Sequence, residues 1–163
     1  PRFNVIAKPN DWLKAVKQNT TAGSISDLNL QQQAFFEEVR ALGEHEAKHV
    51  KSWAKPLPQH WYDVRVGSGK GHIAITVNSQ KSYVGVEFYA NAKETYYELE
   101  RSKTEIEEKL GVSLDWQELP TKRASRIQTT KSGDFRDIES WPELRNWAVR
   151  MADSFARVFP KYL

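Results

Sequence analysis

Asp63, Glu87, His60 and His72 are the side chains of this chain whose types suit proton transfer or metal-assisted cleavage. All four lie in one stretch, HWYDVRVGSGKGHIAITVNSQKSYVGVEFY, from His60 to Tyr89. An aspartate beside a histidine can orient the imidazole and hold its proton. Two carboxylates on neighbouring strands can hold a divalent cation for phosphodiester cleavage, with Asp63 as the first ligand and Glu87 as the second. That chemistry also wants a lysine two positions after the glutamate, to stabilise the attacking hydroxide, but Phe88 and Tyr89 follow Glu87. Lys70 or Lys93 would have to enter from a turn or a helix start. The plainer readings weigh more: an ion pair of Asp63 or Glu87 with Arg65, and structural hydrogen bonding for His60 and His72.

Basic residues interleaved with rings form the second constellation. Lys122, Arg123 and Arg126 cluster near the start of the last strand, while Lys55, Arg65 and Lys70 lie on or near the first hairpin. Brought together by a sheet, these cations offer phosphate contacts, with Trp61, Tyr83 and Tyr89 free to stack on bases or to pack. The bland counterpart is a solvated rim paired with Asp115 and Glu118. GSGKG, Gly67 to Gly71, lacks the spacing of a Walker loop and joins two strands, so it reads as a hairpin turn, with a phosphate contact from Lys70 as the lesser alternative. His45 and His49 would share a face if helical, yet no apolar periodicity covers that segment. With no third ligand fixed nearby it reads as solvated loop, and no metal site is expected.

These residues need a sheet to position them. Tyr62, Val64 and Val66, then Ile73, Ile75 and Val77, then Val84, Val86 and Phe88 alternate with Trp61, Asp63 and Arg65, His72, Ala74 and Thr76, and Tyr83, Gly85, Glu87 and Tyr89. A period of two sends the first set to a core and the second to the opposite face, where a partner would bind. Glycine and asparagine turns make the three strands an antiparallel meander. Ahead of it, the spacing predicts a helix from near Asn29 to Leu42, with Gln32 as capping partner, Gly43 as the stop, and Leu28, Phe35, Val39 and Leu42 on its buried side. Glu44 to Pro58 reads as a long surface loop with Trp53 as its anchor.

After the meander, Lys93 to Leu110 reads as one helix, with Tyr96, Leu99, Ile106 and Leu110 on its stripe. Val112–Leu119 and Ala124–Thr130 read as strands extending the same sheet. Ser140 and Glu143 have capping-box spacing before a final helix lined by Trp141, Leu144, Trp147, Ala148, Met151, Phe155 and Val158. The fold class is therefore α+β: an antiparallel β-meander extended by two further strands and packed by three main helices, in the order α-β-β-β-α-β-β-α. Residues 1–26 read as an entry segment and linker, and residues 27–163 as a single domain.

At 163 residues the chain is long enough for one self-sufficient core. The absence of cysteine excludes disulfides, thiolate nucleophiles and cysteine-ligated metals. No apolar run reaches membrane-spanning length, no secretion signal opens the chain, and a cytoplasmic location without membrane contact is expected. A formal charge of +3 permits attraction to nucleic acid without demanding it. The start at Pro1 rather than methionine leads to the expectation of a preceding segment.

KPLPQHWYDVRVG, GHIAITVN, VGVEFY, IEEKLGVSLDWQELPTKRASRI and WPELRNWAVRMADSFARVF resemble successive blocks of an uncharacterised bacterial and archaeal domain family, a domain of unknown function. The resemblance spans nearly the whole chain. In that family the domain typically follows a RecB-like, restriction-endonuclease-type segment, and PRFNVIAKPNDW resembles the junction. The family's polar and aromatic positions fall on Gln59, His60, Trp61, Asp63, Glu87, Arg123, Ser125 and Arg126, in keeping with the mixed strand face. Arg65 stands where relatives often carry something small.

The resemblance and the basic rim together imply a non-catalytic accessory domain of a nuclease or defence protein, one that binds or positions nucleic acid. Its expected partners are DNA and an upstream nuclease-like domain, and no cofactor is expected. Two alternatives stay open. One is a divergent nuclease using Asp63 and Glu87 with Mg²⁺; the other is a protein or small-ligand module in which Trp61, Tyr83 and Tyr89 line a pocket.

Overall fold

The computed structural model describes residues 26–163. The expected entry segment, apart from Ser26, lies outside the described residues. Helix α1, Asp27–Glu46, starts earlier than its sequence signals indicate, because the Ser26 hydroxyl accepts from the Asn29 amide at 3.1 Å and caps it. Asn29 and Gln32 do meet, the Asn29 side-chain Nδ2 donating to Gln32 Oε1 at 2.8 Å, but inside the first turn. Phe35, Phe36 and Val39 are buried, whereas Leu28 is exposed.

The helix runs through Gly43 rather than stopping there. A Cβ at Gly43 would lie 2.4 Å from the Trp53 ring, so this glycine is a packing surface and not a terminator. The extension places His45 in the last helical turn and leaves His49 beyond the helix end. There the Lys48 and His49 amides donate to Asp153 Oδ1 at 3.0 and 2.7 Å, and the shared helical face of the two histidines does not form.

The segment expected to be loop contributes a short edge strand, β1, Ser52–Trp53. The meander follows as β2, Trp61–Arg65; β3, Gly71–Asn78; and β4, Tyr83–Ala90. Two further strands, β5 (Asp115–Gln117) and β6 (Ser125–Ser132), complete a six-stranded antiparallel sheet in the order β1-β2-β3-β4-β6-β5. The last strand in sequence pairs with β4, and β5 forms the far edge. Both edge strands are very short, which limits the unpaired backbone offered to another chain.

The stripe read as one helix breaks into α2, Lys93–Glu100, and α3, Lys103–Leu110. The Ser102 amide reaches Leu99 O at 3.0 Å, a tightened turn at the joint. Helix α2 packs on β4 and β6 while α3 packs on the final helix, so the axis must turn to cover two surfaces. That final helix, α4, is Trp141–Val158. It enters from a 3₁₀ turn at Ile138–Ser140, and Ser140 makes no capping bond to it. The Ser140 hydroxyl instead donates to Asp137 O at 2.6 Å and Asp134 O at 3.0 Å, so the expected capping box is absent.

Inward residues Tyr62, Val64, Ile73, Ile75, Val84, Val86, Phe88 and Ile127 join the buried residues of all four helices in one core. At about 25 cal/mol per Å² of apolar surface removed from water, this core is the main stabilising term. Among the described residues the fold is two-layered, with all the helices on one face of the sheet and none on the other. Among the described residues no helix is long and apolar enough to cross a membrane.

Candidate functional site

The strand register arranges the face opposite the described helices in rows. His72 on β3, Tyr89 on β4, Arg126 on β6 and Gln117 on β5 stand side by side, and Arg65, one residue past the Val64–Ile73 pair, adjoins His72. The next row is Asp63, Ala74, Glu87, Gln128 and Asp115, and the third is Trp61, Thr76, Gly85 and Thr130. The alternation thus separates the two faces as the sequence predicts. Of the family-marked positions that lie on strands, Ser125 is the exception: it pairs with Ala90, points to the helix side and is buried.

Two diagonal acid-base pairs cross between the first two rows. His72 Nε2 lies 3.3 Å from Asp63 Oδ1, and Arg126 Nε lies 3.1 Å from Glu87 Oε1. Neither contact is a well-aimed hydrogen bond, since Asp63 Oδ1 and Arg126 Nε are buried atoms with no directed partner. Glu87 is buried although none of the described helices covers it; Ala74 and Gln128 are its register neighbours, and the Arg126 guanidinium lies diagonal to it. Burial raises its carboxyl above the usual carboxylate range, against the lowering influence of Arg126. Arg65, expected as the partner of these carboxylates, pairs with neither.

For metal chemistry the carboxylates are poorly placed. Asp63 and Glu87 flank Ala74, two strand spacings or about 10 Å apart at the backbone, and each turns toward its own base. Among the described residues no cluster of three acidic or histidine side chains could hold a metal ion. The two lysines considered for hydroxide stabilisation are committed elsewhere. Lys70 faces Glu98 at 3.5 Å. Lys93 Nζ, with three hydrogens to donate, lies within hydrogen-bond reach of Glu118 O, of Leu119 O at 2.9 Å, of Ala124 O at 2.8 Å and of Ser125 Oγ at 3.0 Å, pinning the β5–β6 loop from the helix side. His60 stands apart from His72 and makes an edge contact with Trp61, ring centroids 4.8 Å apart.

The basic candidates gather more closely. The β2–β3 turn, the end of β4 and the β5–β6 loop all emerge at one end of the sheet, the end bearing the Arg65–His72–Tyr89–Arg126 row. Lys70 sits in the first of these turns, and Lys122 and Arg123 in the β5–β6 loop, exposed. Arg65 and Arg126 are three strand gaps apart, about 14 Å. The expected pairing of Lys122, Arg123 and Arg126 with Asp115 and Glu118 does not form: Asp115 accepts from Gln117 at 2.5 Å, and Glu118 accepts from the Tyr97 hydroxyl at 2.6 Å. Trp61 is exposed but lies in the third row, toward the opposite end, so it is separated from this cluster. Tyr89 lies within it, its ring 5.5 Å from that of His72.

Sequence reading missed Lys51 and Asn91, which also stand at this end. Lys51 donates its amide to Arg65 O at 2.9 Å, and Asn91 Nδ2 donates to Gly69 O at 2.9 Å. A two-residue strand leaves no periodicity to read, so Lys51 carried no signal. Asn91 falls between β4 and α2, where no periodic pattern singles it out.

The described residues thus form a two-layer α+β unit with one mixed-polarity sheet face that none of their helices covers and cations gathered at one end of it. The chain belongs to the family described as Domain of unknown function (DUF4268), whose model matches residues 31–163. Comparison with curated proteins and with solved structures finds no match.

Proposed function

We propose that this is a non-catalytic accessory domain of a nuclease or defence protein that binds nucleic acid through the basic end of its open sheet face. The observation that carries the reading is the register itself. It sets Arg65, Tyr89 and Arg126 in one row and brings Lys51, Lys122 and Arg123 to the same end, with none of the side chains of Lys51, Arg65, Lys122 and Arg123 held by a carboxylate among the described residues. Cations spread over this distance suit successive phosphates, and Tyr89 supplies a ring between them. Sequence discrimination is not part of the proposal, because phosphate contacts position a duplex or strand without reading bases. The link to a nuclease rests on resemblance to domains that follow a RecB-like segment.

A mobility-shift titration with duplex and single-stranded DNA at low and moderate salt tests the proposal. Binding that weakens as salt rises supports it; a folded chain that binds neither form at low salt overturns it.

A further inference from the structure

Beside the basic row, a cleft of about 590 Å³ opens between β1, β2 and the β2–β3 turn. Lys51, Ser52, Asp63, Arg65, Ser68, His72 and Asn91 line it, with the backbone of Gly67 and Gly69. Three features give it the chemistry of an anion site. First, Gly67 has φ +80°, and a Cβ there would meet the Lys51 stem at 3.3 Å. The bare glycine lets that stem lie across the turn beside the cleft, which Lys51 lines. Second, Asn91 holds the turn by its carbonyls: its side chain donates to Gly69 O, and its amide to Lys70 O at 2.9 Å. The amides of Gly67, Ser68 and Gly69 are left without a protein acceptor among the described residues, so they are available to donate to a ligand. Third, the formally charged side chains lining the cleft are Lys51, Arg65 and Asp63, two cations against one carboxylate, with His72 Nε2 3.3 Å from Asp63 Oδ1.

We infer that this cleft is a phosphate-binding subsite, in which Lys51 and Arg65 contact phosphate oxygens and the Gly67–Gly69 amides donate to them. Lys70, the lysine that the glycine pattern first points to, is not part of it; its ammonium faces Glu98 outside the cleft. The inference rests on the nucleic-acid reading for the source of the phosphate, which is either a terminal monoester or a backbone diester.

Amide-resolved NMR titration of the chain tests it, using inorganic phosphate and a single-stranded oligonucleotide with and without a 5′-phosphate. Saturable shifts at Gly67, Ser68 and Gly69 with inorganic phosphate, lost in the folded K51Q/R65Q variant and kept in K51R, support the subsite. A tenfold or greater preference for the 5′-phosphorylated strand assigns a terminal monoester, and equal binding assigns a diester. Oligonucleotide binding that leaves these amides unmoved by every probe overturns the subsite while the nucleic-acid reading stands. Shifts with phosphate but with neither oligonucleotide keep the subsite and overturn its nucleic-acid source. No shift and no binding overturn both.

Discussion

Arg126 and Glu87 meet diagonally across β6 and β4, Nε 3.1 Å from Oε1, with the carboxylate side chain only 8% exposed on a face that none of the described helices covers. A carboxylate this dry depends on its cation. R126A is expected to destabilise the fold by about 2 kcal/mol, since it strands a buried charge. E87Q, which keeps an acceptor toward the guanidinium, should cost much less. Urea denaturation of the two variants decides the order, and equal losses would contradict it.

Glu87 also sets a pH dependence. Its folded pKa is raised above the unfolded value, chiefly by burial, so the native state holds this proton more tightly than the unfolded chain does. Its contribution to stability is therefore fully present below the unfolded pKa and is lost as pH rises through the folded one. Comparing wild type with E87Q by denaturation across that window should show the wild type losing stability relative to the variant. A parallel pair of curves would refute the assignment.

Glu107 behaves oppositely. Its Oε2 accepts from the Leu114 amide at 2.8 Å and the Trp116 indole at 3.1 Å, tying α3 to the edge strand β5, and the Leu114 hydrogen bond leads in lowering its pKa. The stabilisation is present above the unfolded pKa and lost as pH falls through the lowered folded value. In acid, Trp116 fluorescence should report loosening of β5, and E107A should show the loosened signal already at neutral pH.

Gly43 and Trp53 make a steric prediction that runs against helix propensity. Alanine is the better helix former by about 1 kcal/mol, yet G43A places its Cβ 2.4 Å from the Trp53 ring. The substitution should therefore destabilise by about 1–3 kcal/mol. In a W53L background the same change should be neutral or stabilising. A double-mutant cycle measures the coupling.

The sheet was legible because its alternation is strict: Tyr62 to Val66, Ile73 to Val77 and Val84 to Phe88 each keep a period of two, and the structure places every one of them inward. Asp63, His72, Glu87 and Arg126 were recognisable as types but not as pairs. Which acid meets which base depends on register, and no local pattern encodes register across strands separated by turns and two helices. Gly43 misled because a glycine after an apolar stripe looks the same whether it ends a helix or accommodates a tryptophan from elsewhere. The break at Ser102 was hidden for a similar reason, since Tyr96, Leu99 and Ile106 keep helical spacing on both sides of it. Lys93 gave no hint of its four oxygen partners, which come from the β5–β6 segment, Glu118 to Ser125.

The salt dependence of DNA affinity tests most directly whether the basic end of the open face binds phosphates. Fluorescence anisotropy with a labelled oligonucleotide, repeated over a range of salt, gives the slope of log K against log[salt] for the wild type and for K51Q/R65Q/K122Q/R123Q. The wild type should bind with a negative slope. The variant, still folded, should bind far more weakly, its slope shallower by about 3–4 for duplex. Equal affinity and equal slope in the two proteins would contradict the account.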